Sequence, residues 1–238
     1  MIMLPRTAVR NRLLSLLSTQ DYTALANDFE AVECPRGFII AEPDQVVSHV
    51  YFCESGLGSV IATSPEGQKV EAGLFGWDGF SPISVLLGSD RAPNLIIMQI
   101  GGFCYRIERS RFDAATETSA TLRGLLLRYV QTFNVQASFT ALSNAVHPVD
   151  ERLARWLLMC HDRSDSDDLP ITHEFLSIML AVRRPSVTTS LHALEGHGFI
   201  RSERGFVTIA NRTGLEEFAG DAYGKPEAEY RRLIGPMR

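Results

Sequence analysis

Residues 171–209 read ITHEFLSIMLAVRRPSVTTSLHALEGHGFIRSERGFVTI. Thr172 suits a helix N-cap, and Glu174 puts negative charge in the first turn, where the helix dipole favours it. Phe175, Leu176 and Met179 form one apolar face. Ala181 is small and stands where the chain must turn sharply. A second helix starts at Arg184 and tolerates Pro185 because its first turn needs no amide donor there. Val187, Leu191 and Leu194 point inward, and Gly196–Gly198 closes the helix. Phe199–Ser202 and Phe206–Ile209, joined through Glu203-Arg204-Gly205, read as a β-hairpin. Two short helices, a tight turn and a hairpin make a winged helix-turn-helix.

The residues left off the apolar stripe carry the chemistry. Arg183, Arg184, Ser186 and Thr189 lie near the N-terminus of the second helix, the part of a recognition helix that reaches base edges. Arginine pairs bidentately with guanine, and serine and threonine are adaptable contacts. Arg201 and Arg204 on the wing are placed to meet phosphate, and Thr172 joins the set at the start of the first helix. Between 183 and 204 these four arginines stand against Glu195 and Glu203 only, a positive patch in a chain of net charge −5. The expected partner is double-stranded DNA.

Upstream, His147-Pro148 ends one helix and begins another, because the residue before proline avoids the helical region. Val149, Leu153, Trp156, Leu157 and Cys160 mark the buried face of the new helix. The acidic stretch Asp162–Asp168 reads as a solvated loop. It lacks the glycine and closing glutamate of a calcium loop.

Residues 110–146 are helical. Leu122, Leu126, Tyr129, Phe133, Gln136 and Thr140 are spaced 4, 3, 4, 3, 4, the seam of a coiled coil. The seam predicts a homodimer interface; the alternative is a helix packed on its own neighbouring domain. Residues 30–109 have strand character. The runs 37–40, 46–52, 59–62, 69–74, 95–100 and 103–107 are separated by Gly- and Pro-rich turns, which suggests an antiparallel barrel or jelly roll. Two short helices are expected over 8–29. The expected class is α+β: a roll with N-terminal helices over 1–115, a dimerisation helix over 116–146, and a winged-helix domain over 147–238.

Composition narrows the classes of function. The chain has 238 residues, 45% hydrophobic and 21% charged, enough for a solid core. Cys34, Cys53, Cys104 and Cys160 are far apart and read as reduced thiols, and Cys160 on an apolar face reads as inert. No apolar run is long enough to span a bilayer. A cytoplasmic protein without a membrane role is expected. No P-loop, GxSxG or paired His/Cys pattern is present, so no enzyme is expected.

The chain resembles the Crp/Fnr family of bacterial transcription regulators. The resemblance spans nearly the whole length and is most specific at 151–158 (ERLARWLL) and 172–200. It implies a cyclic-nucleotide-binding-like roll, a homodimer on a palindromic operator, and contact with RNA polymerase. Cyclic-nucleotide-binding members carry Gly-Glu and, about ten residues later, Arg-Ser or Arg-Thr. Glutamate holds the ribose, and arginine with backbone amides neutralises the phosphate. Here the stretch runs Gly76-Trp77-Asp78-Gly79 to Asp90-Arg91-Ala92-Pro93. Asp78 and Arg91 are the candidate pocket residues, but the glutamate and the second hydroxyl are missing. No cofactor is therefore expected; a cyclic nucleotide or another small ligand stays open.

The N-terminal cysteine cluster of iron–sulfur members is absent. His49 is the one histidine of the roll, too few for a cupin-like metal enzyme or a secure haem ligand. A sensor acting through a protein partner is a further alternative, against which the four arginines argue. The recognition helix departs as well. Pro185 and Thr189 stand where well-known members carry glutamate and a second arginine, so another operator is expected.

Overall fold

The computed structural model describes residues 6–237. Residues 1–5 and 238, the outer ends of the expected first and last domains, lie outside them. Two short helices, α1 (Arg12–Leu16) and α2 (Thr19–Ala26), are capped by the side chains of Asn11 and Ser18. Eight strands follow: β1 (Glu30–Cys34), β2 (Ile39–Ala41), β3 (His49–Cys53), β4 (Leu57–Thr63), β5 (Lys69–Phe75), β6 (Phe80–Ser81), β7 (Leu95–Ile100) and β8 (Gly102–Glu108). They form two antiparallel sheets, ordered β1-β8-β3-β6 and β2-β7-β4-β5. This is the expected roll. Two strands escape a reading of apolar alternation. β1 is an edge strand with only Cys34 buried, and β6 has two residues.

The helical stretch after the roll is split. α3 (Arg109–Thr118) ends at Ser119, whose extended backbone breaks the helix. The Ser119 side chain then caps α4 (Ala120–Val146) by accepting from the Leu122 amide. The expected boundary at 115/116 thus falls inside α3. α4 ends with His147 as its C-cap, and α5 (Val149–His161) begins after Pro148. The rest comprises β9 (Asp168–Leu169), α6 (His173–Met179), α7 (Arg184–Gly196), β10 (Ile200–Glu203), β11 (Phe206–Ile209), α8 (Arg212–Ala219) and α9 (Lys225–Leu233). Among the described residues no helix is long and apolar enough to cross a membrane.

The seam of α4 is covered by the chain itself, which corrects its assignment as a dimer interface. Leu122, Leu126, Tyr129, Phe133, Gln136 and Thr140 are all buried, none more than 8% exposed. Tyr129 packs on Phe80, with ring centroids 5.4 Å apart, over Gly79. A Cβ at Gly79 would come within 1.9 Å of the tyrosine ring. Gln136 accepts from the Leu74 amide at 2.7 Å, and Thr140 accepts from Arg155 at 3.2 Å. The polar half of the seam therefore answers polar groups of the roll and of α5. Heptad spacing reports that a stripe is buried, and the covering surface comes from tertiary packing.

Two cores run through the chain, and neither respects the expected domain limits. The first fills the roll and α1–α4, and takes in Tyr230 and Ile234 from the C-terminus. The second holds α5–α8 and the hairpin together with Leu57, Ile61 and Leu74 of the roll. α5 is consequently buried on nearly every side, including Arg155 and His161, where one buried face was expected. The acidic loop is also less solvated than expected. Asp162 is buried and accepts from Arg212 and Tyr223, each at 2.7 Å.

Candidate nucleic-acid interface

α6 is capped as its sequence predicts: the Thr172 hydroxyl accepts from the Phe175 amide at 3.3 Å. The same oxygen accepts from Arg36 of the roll at 3.3 Å, so Thr172 is engaged by its own chain. The turn into α7 passes through Ala181 at φ +51°, the left-handed region where a small residue suffers least. Arg183 is the N-cap residue of α7, and Pro185 lies in its first turn. Val187, Leu191 and Leu194 are fully buried, which pins the helix against α5 and α6 and fixes its outer face.

That outer face carries Arg183, Arg184, Ser186 and Thr189, all exposed. The helix N-terminus beside them adds the positive end of the dipole, which suits phosphate. Arg184 forms an exposed ion pair with Glu174 at 2.9 Å. Thr189 donates its hydroxyl to the Pro185 carbonyl at 3.1 Å. Among the described residues, Arg183, Arg201 and Arg204 have no carboxylate within ion-pairing distance, so their charge faces solvent.

The hairpin is real and gains a third strand. β10 and β11 pair in the register Ile200↔Ile209 to Glu203↔Phe206, and β9 adds to the other edge of β11. Arg204 and Gly205 form the two-residue turn, with Gly205 at φ +87°. Glu195 of α7 accepts from the Ser202 amide at 2.9 Å and ties the wing to the helix. Arg201 and Arg204 are exposed, as is Phe206. Helix and wing thus each carry exposed arginines.

The proposed ligand residues of the roll behave differently. Asp78 is buried and both its oxygens are taken. Arg163 donates to them at 2.9 and 2.7 Å, and the Gly76 amide donates at 2.7 Å. Arg91 is exposed, donates to the Asp44 carbonyl at 2.6 Å and lies 3.8 Å from Asp90. The two share no partner, so the pairing of Asp78 with Arg91 in one pocket is corrected. Asp78 is a structural counter-ion, and Arg91 tacks down a surface loop.

Sequence reasoning missed the groups that join the DNA-binding unit to the roll. Trp156 donates to Glu71 at 2.8 Å, and Ser59 donates to the other Glu71 oxygen at 2.5 Å. Burial pushes the Glu71 carboxyl up to about 7, against the hydrogen bonds from Ser59 and Trp156 and the nearby charges of Arg155 and Arg163. Asp78–Arg163 is the second such link, and Tyr230 of α9 donates to the Asp78 carbonyl at 2.6 Å. Burial also pushes the Cys160 thiol well up, in keeping with an inert side chain. His49 shares a hydrogen bond with Ser48 at 2.9 Å, and among the described residues no group of three His, Cys, Asp or Glu side chains is placed to hold a metal ion.

Residues 151–218 match the Crp-like helix-turn-helix domain. No curated protein matches the chain. Among solved structures, FixK2 from Bradyrhizobium japonicum is similar with a TM-score of 0.67 at 14% identity, over 80% of this chain and 96% of that one. A CRP-family transcriptional regulator from Thermus thermophilus gives 0.66 at 19%, over 79% and 96%. The c-di-GMP responsive global regulator CLP from Xanthomonas campestris gives 0.62 at 17%, over 81% and 99%. At these identities the likeness is one of fold. Residues 151–218 thus belong to the Crp-like helix-turn-helix domain family, and the chain as a whole shares the fold of these solved proteins.

Proposed function

We propose that the chain acts as a homodimeric transcription regulator that reads a palindromic operator. One observation carries the reading: the N-terminal end of α7 and the wing expose Arg183, Arg184, Ser186, Thr189, Arg201 and Arg204 to solvent, and Glu195 ties the wing to the helix. Arg184 and its neighbours enter the major groove, and Arg201 and Arg204 lie on phosphates. Thr172 contributes at the edge once Arg36 releases it.

The dimer uses a different stripe of α4 from the seam in the sequence. Val135, Phe139, Leu142 and Val146 recur at 4, 3, 4 spacing, and each keeps part of its surface exposed. Leu142 and Val146 are 46% and 62% exposed, large values for apolar residues in a row. A second copy of the same helix covers such a stripe with equivalent contacts about a two-fold axis. The axis passes to the DNA and makes the operator palindromic. RNA polymerase is the further partner that the resemblance implies, and the cytoplasm is where such a protein meets its promoters. The roll works without cyclic AMP: Asp78 is engaged, and Ala92 replaces the hydroxyl residue.

Selection of bound DNA from a random pool tests this. A symmetric consensus with half-site centres about one helical turn apart is expected. Recovery of no enriched sequence, or of an asymmetric single site, overturns it.

A further inference from the structure

Three cysteines that are far apart in the sequence meet inside the roll. Cys34 ends β1, Cys53 ends β3, and Cys104 lies in β8, the strand between those two. Cys53 and Cys104 stand opposite one another in the ladder, and Cys34 stands opposite Gly102, two positions from Cys104. Residues directly across or two apart share a face of the sheet. All three side chains therefore point into the roll, where each residue is fully buried. The Cys104 thiol donates to the Cys53 sulfur across 3.2 Å. Cys160 is buried in the other core, away from the three.

The register suits a bond between the two facing sulfurs. The Glu54 amide donates to the Phe103 carbonyl and the Arg109 amide to the Ser48 carbonyl, each at 2.8 Å. Hydrogen-bonded and open pairs alternate along an antiparallel ladder, which makes Cys53 and Cys104 an open pair. The Cα atoms of such a pair stand about 4.5 Å apart, inside the range of roughly 4.4–6.8 Å that a disulfide spans. We propose that Cys53 and Cys104 are a redox-modification site, at which hydrogen peroxide converts the two thiols to a disulfide that fastens β3 to β8.

The hydrogen bonds set the order of attack. Donation to Cys104, with burial behind it, pushes the Cys34 thiol well up. The bond from Cys34 lowers Cys104, but donation to Cys53 and burial outweigh it, so that thiol is pushed well up too. Cys34 and Cys104 thus hold their protons, and Cys53 ends the chain as the acceptor, the sulfur with a donor ready to support a thiolate. The Cys53 thiolate attacks one peroxide oxygen. An S–O bond forms and the O–O bond breaks; the departing hydroxide takes up the proton that Cys53 released, leaving water and a sulfenic acid. The Cys104 sulfur then attacks the Cys53 sulfur. The S–S bond forms, the S–O bond breaks, and the second hydroxide leaves as water with the Cys104 proton. Two thiols lose two electrons, and one peroxide becomes two waters. Access runs past β1, an edge strand hydrogen-bonded on one side, in which Cys34 alone is buried. Such a strand opens locally at lower cost than the core, and hydrogen peroxide is uncharged and little larger than water.

Full-length protein treated with hydrogen peroxide, alkylated in denaturant and mapped by mass spectrometry tests the pair. Two of the four thiols should be lost, as one Cys53–Cys104 link within the chain that dithiothreitol reverses, with Cys160 still alkylated. The link should raise the thermal midpoint by several degrees, because it closes a long loop of the unfolded chain while fitting the native register. Cys34→Ala should keep the link. Cys104→Ala should lose it and leave Cys53 as a sulfenic acid that dimedone tags, whereas Cys53→Ala should leave Cys104 untagged. The wild-type map needs no variant, so it decides even where a substitution prevents folding. Four alkylated thiols after peroxide, a link to Cys34 or Cys160, a link between chains, or an unchanged or lowered midpoint overturns the proposal. A dimedone tag on Cys104 in folded Cys53→Ala overturns the order of attack.

Discussion

Trp156 of α5 donates its indole N–H to Glu71 of β5 at 2.8 Å, and this buried bond joins the DNA-binding unit to the roll. Ser59 fills the second oxygen, while Arg155, Arg163 and the Cys160 thiol stand around the carboxylate. The arrangement makes the junction sensitive to pH. Burial raises the Glu71 carboxyl to about 7 in the folded chain, from 4.5 for an unburied glutamate. Between those values the folded state holds a proton that the unfolded state has lost. The contribution of Glu71 to stability is therefore complete below 4.5 and is lost as pH rises through 7. The loss amounts to about 3 kcal/mol at the usual cost per pH unit. Glu71→Gln should be the more stable protein at pH 8 and should show a flatter dependence from pH 4.5 to 7.5. Urea unfolding of both proteins across that range measures it, and parallel curves would exclude the junction as the source.

Arg163 and Asp78 form the second link, with both side chains almost wholly buried. Asp78→Asn removes the charge and keeps the shape, leaving a guanidinium buried without a counter-ion. The expected cost is about 3–5 kcal/mol. Asp78→Asn combined with Arg163→Met should recover most of it. Thermal unfolding of the single and double variants decides, and a double variant no better than the single one contradicts the pairing.

Phe133 and Leu142 separate the inner face of α4 from the outer. Phe133 lies against Gly73 of the roll, where an added Cβ would come within 2.9 Å of its ring. Phe133→Glu should unfold the roll, because it buries an unpaired carboxylate inside one chain. Leu142→Glu should leave the fold intact and produce monomers. Sedimentation with circular dichroism distinguishes the two; a folded monomer from Phe133→Glu and a dimer from Leu142→Glu would reverse the assignment.

Arg184 and Arg204 should fail in different ways. Arg184→Ala first gives up an exposed ion pair to Glu174, worth about 0–1 kcal/mol. It then loses a bidentate base contact, costing about 1–3 kcal/mol per half-site and relaxing one operator position. Arg204→Ala should weaken binding to all sequences alike and lower the salt slope by about one unit per wing. Titrations over salt and over single-base operator variants test both. Altered base preference in Arg204→Ala with none in Arg184→Ala would exchange the roles of helix and wing.

Local chemistry determined much of this protein from sequence alone. The Thr172 cap, the turn at Ala181, the Val187–Leu191–Leu194 stripe and the Arg204-Gly205 turn are set by residues within a few positions of one another. Short-range hydrogen bonds and dihedral limits govern such features, so the winged helix and its arginines could be read directly. β1 escaped because an exposed edge strand carries no apolar alternation. Partner choice lay beyond reach. The 122–140 stripe announced a buried face, but the roll covers it, and Asp78 looked like a ligand residue until Arg163, 85 positions away, met it. Glu71 found Trp156 at the same separation. Burial and charge pairing are non-local: they depend on which surfaces the folded chain brings together, and periodicity along the sequence carries no record of that.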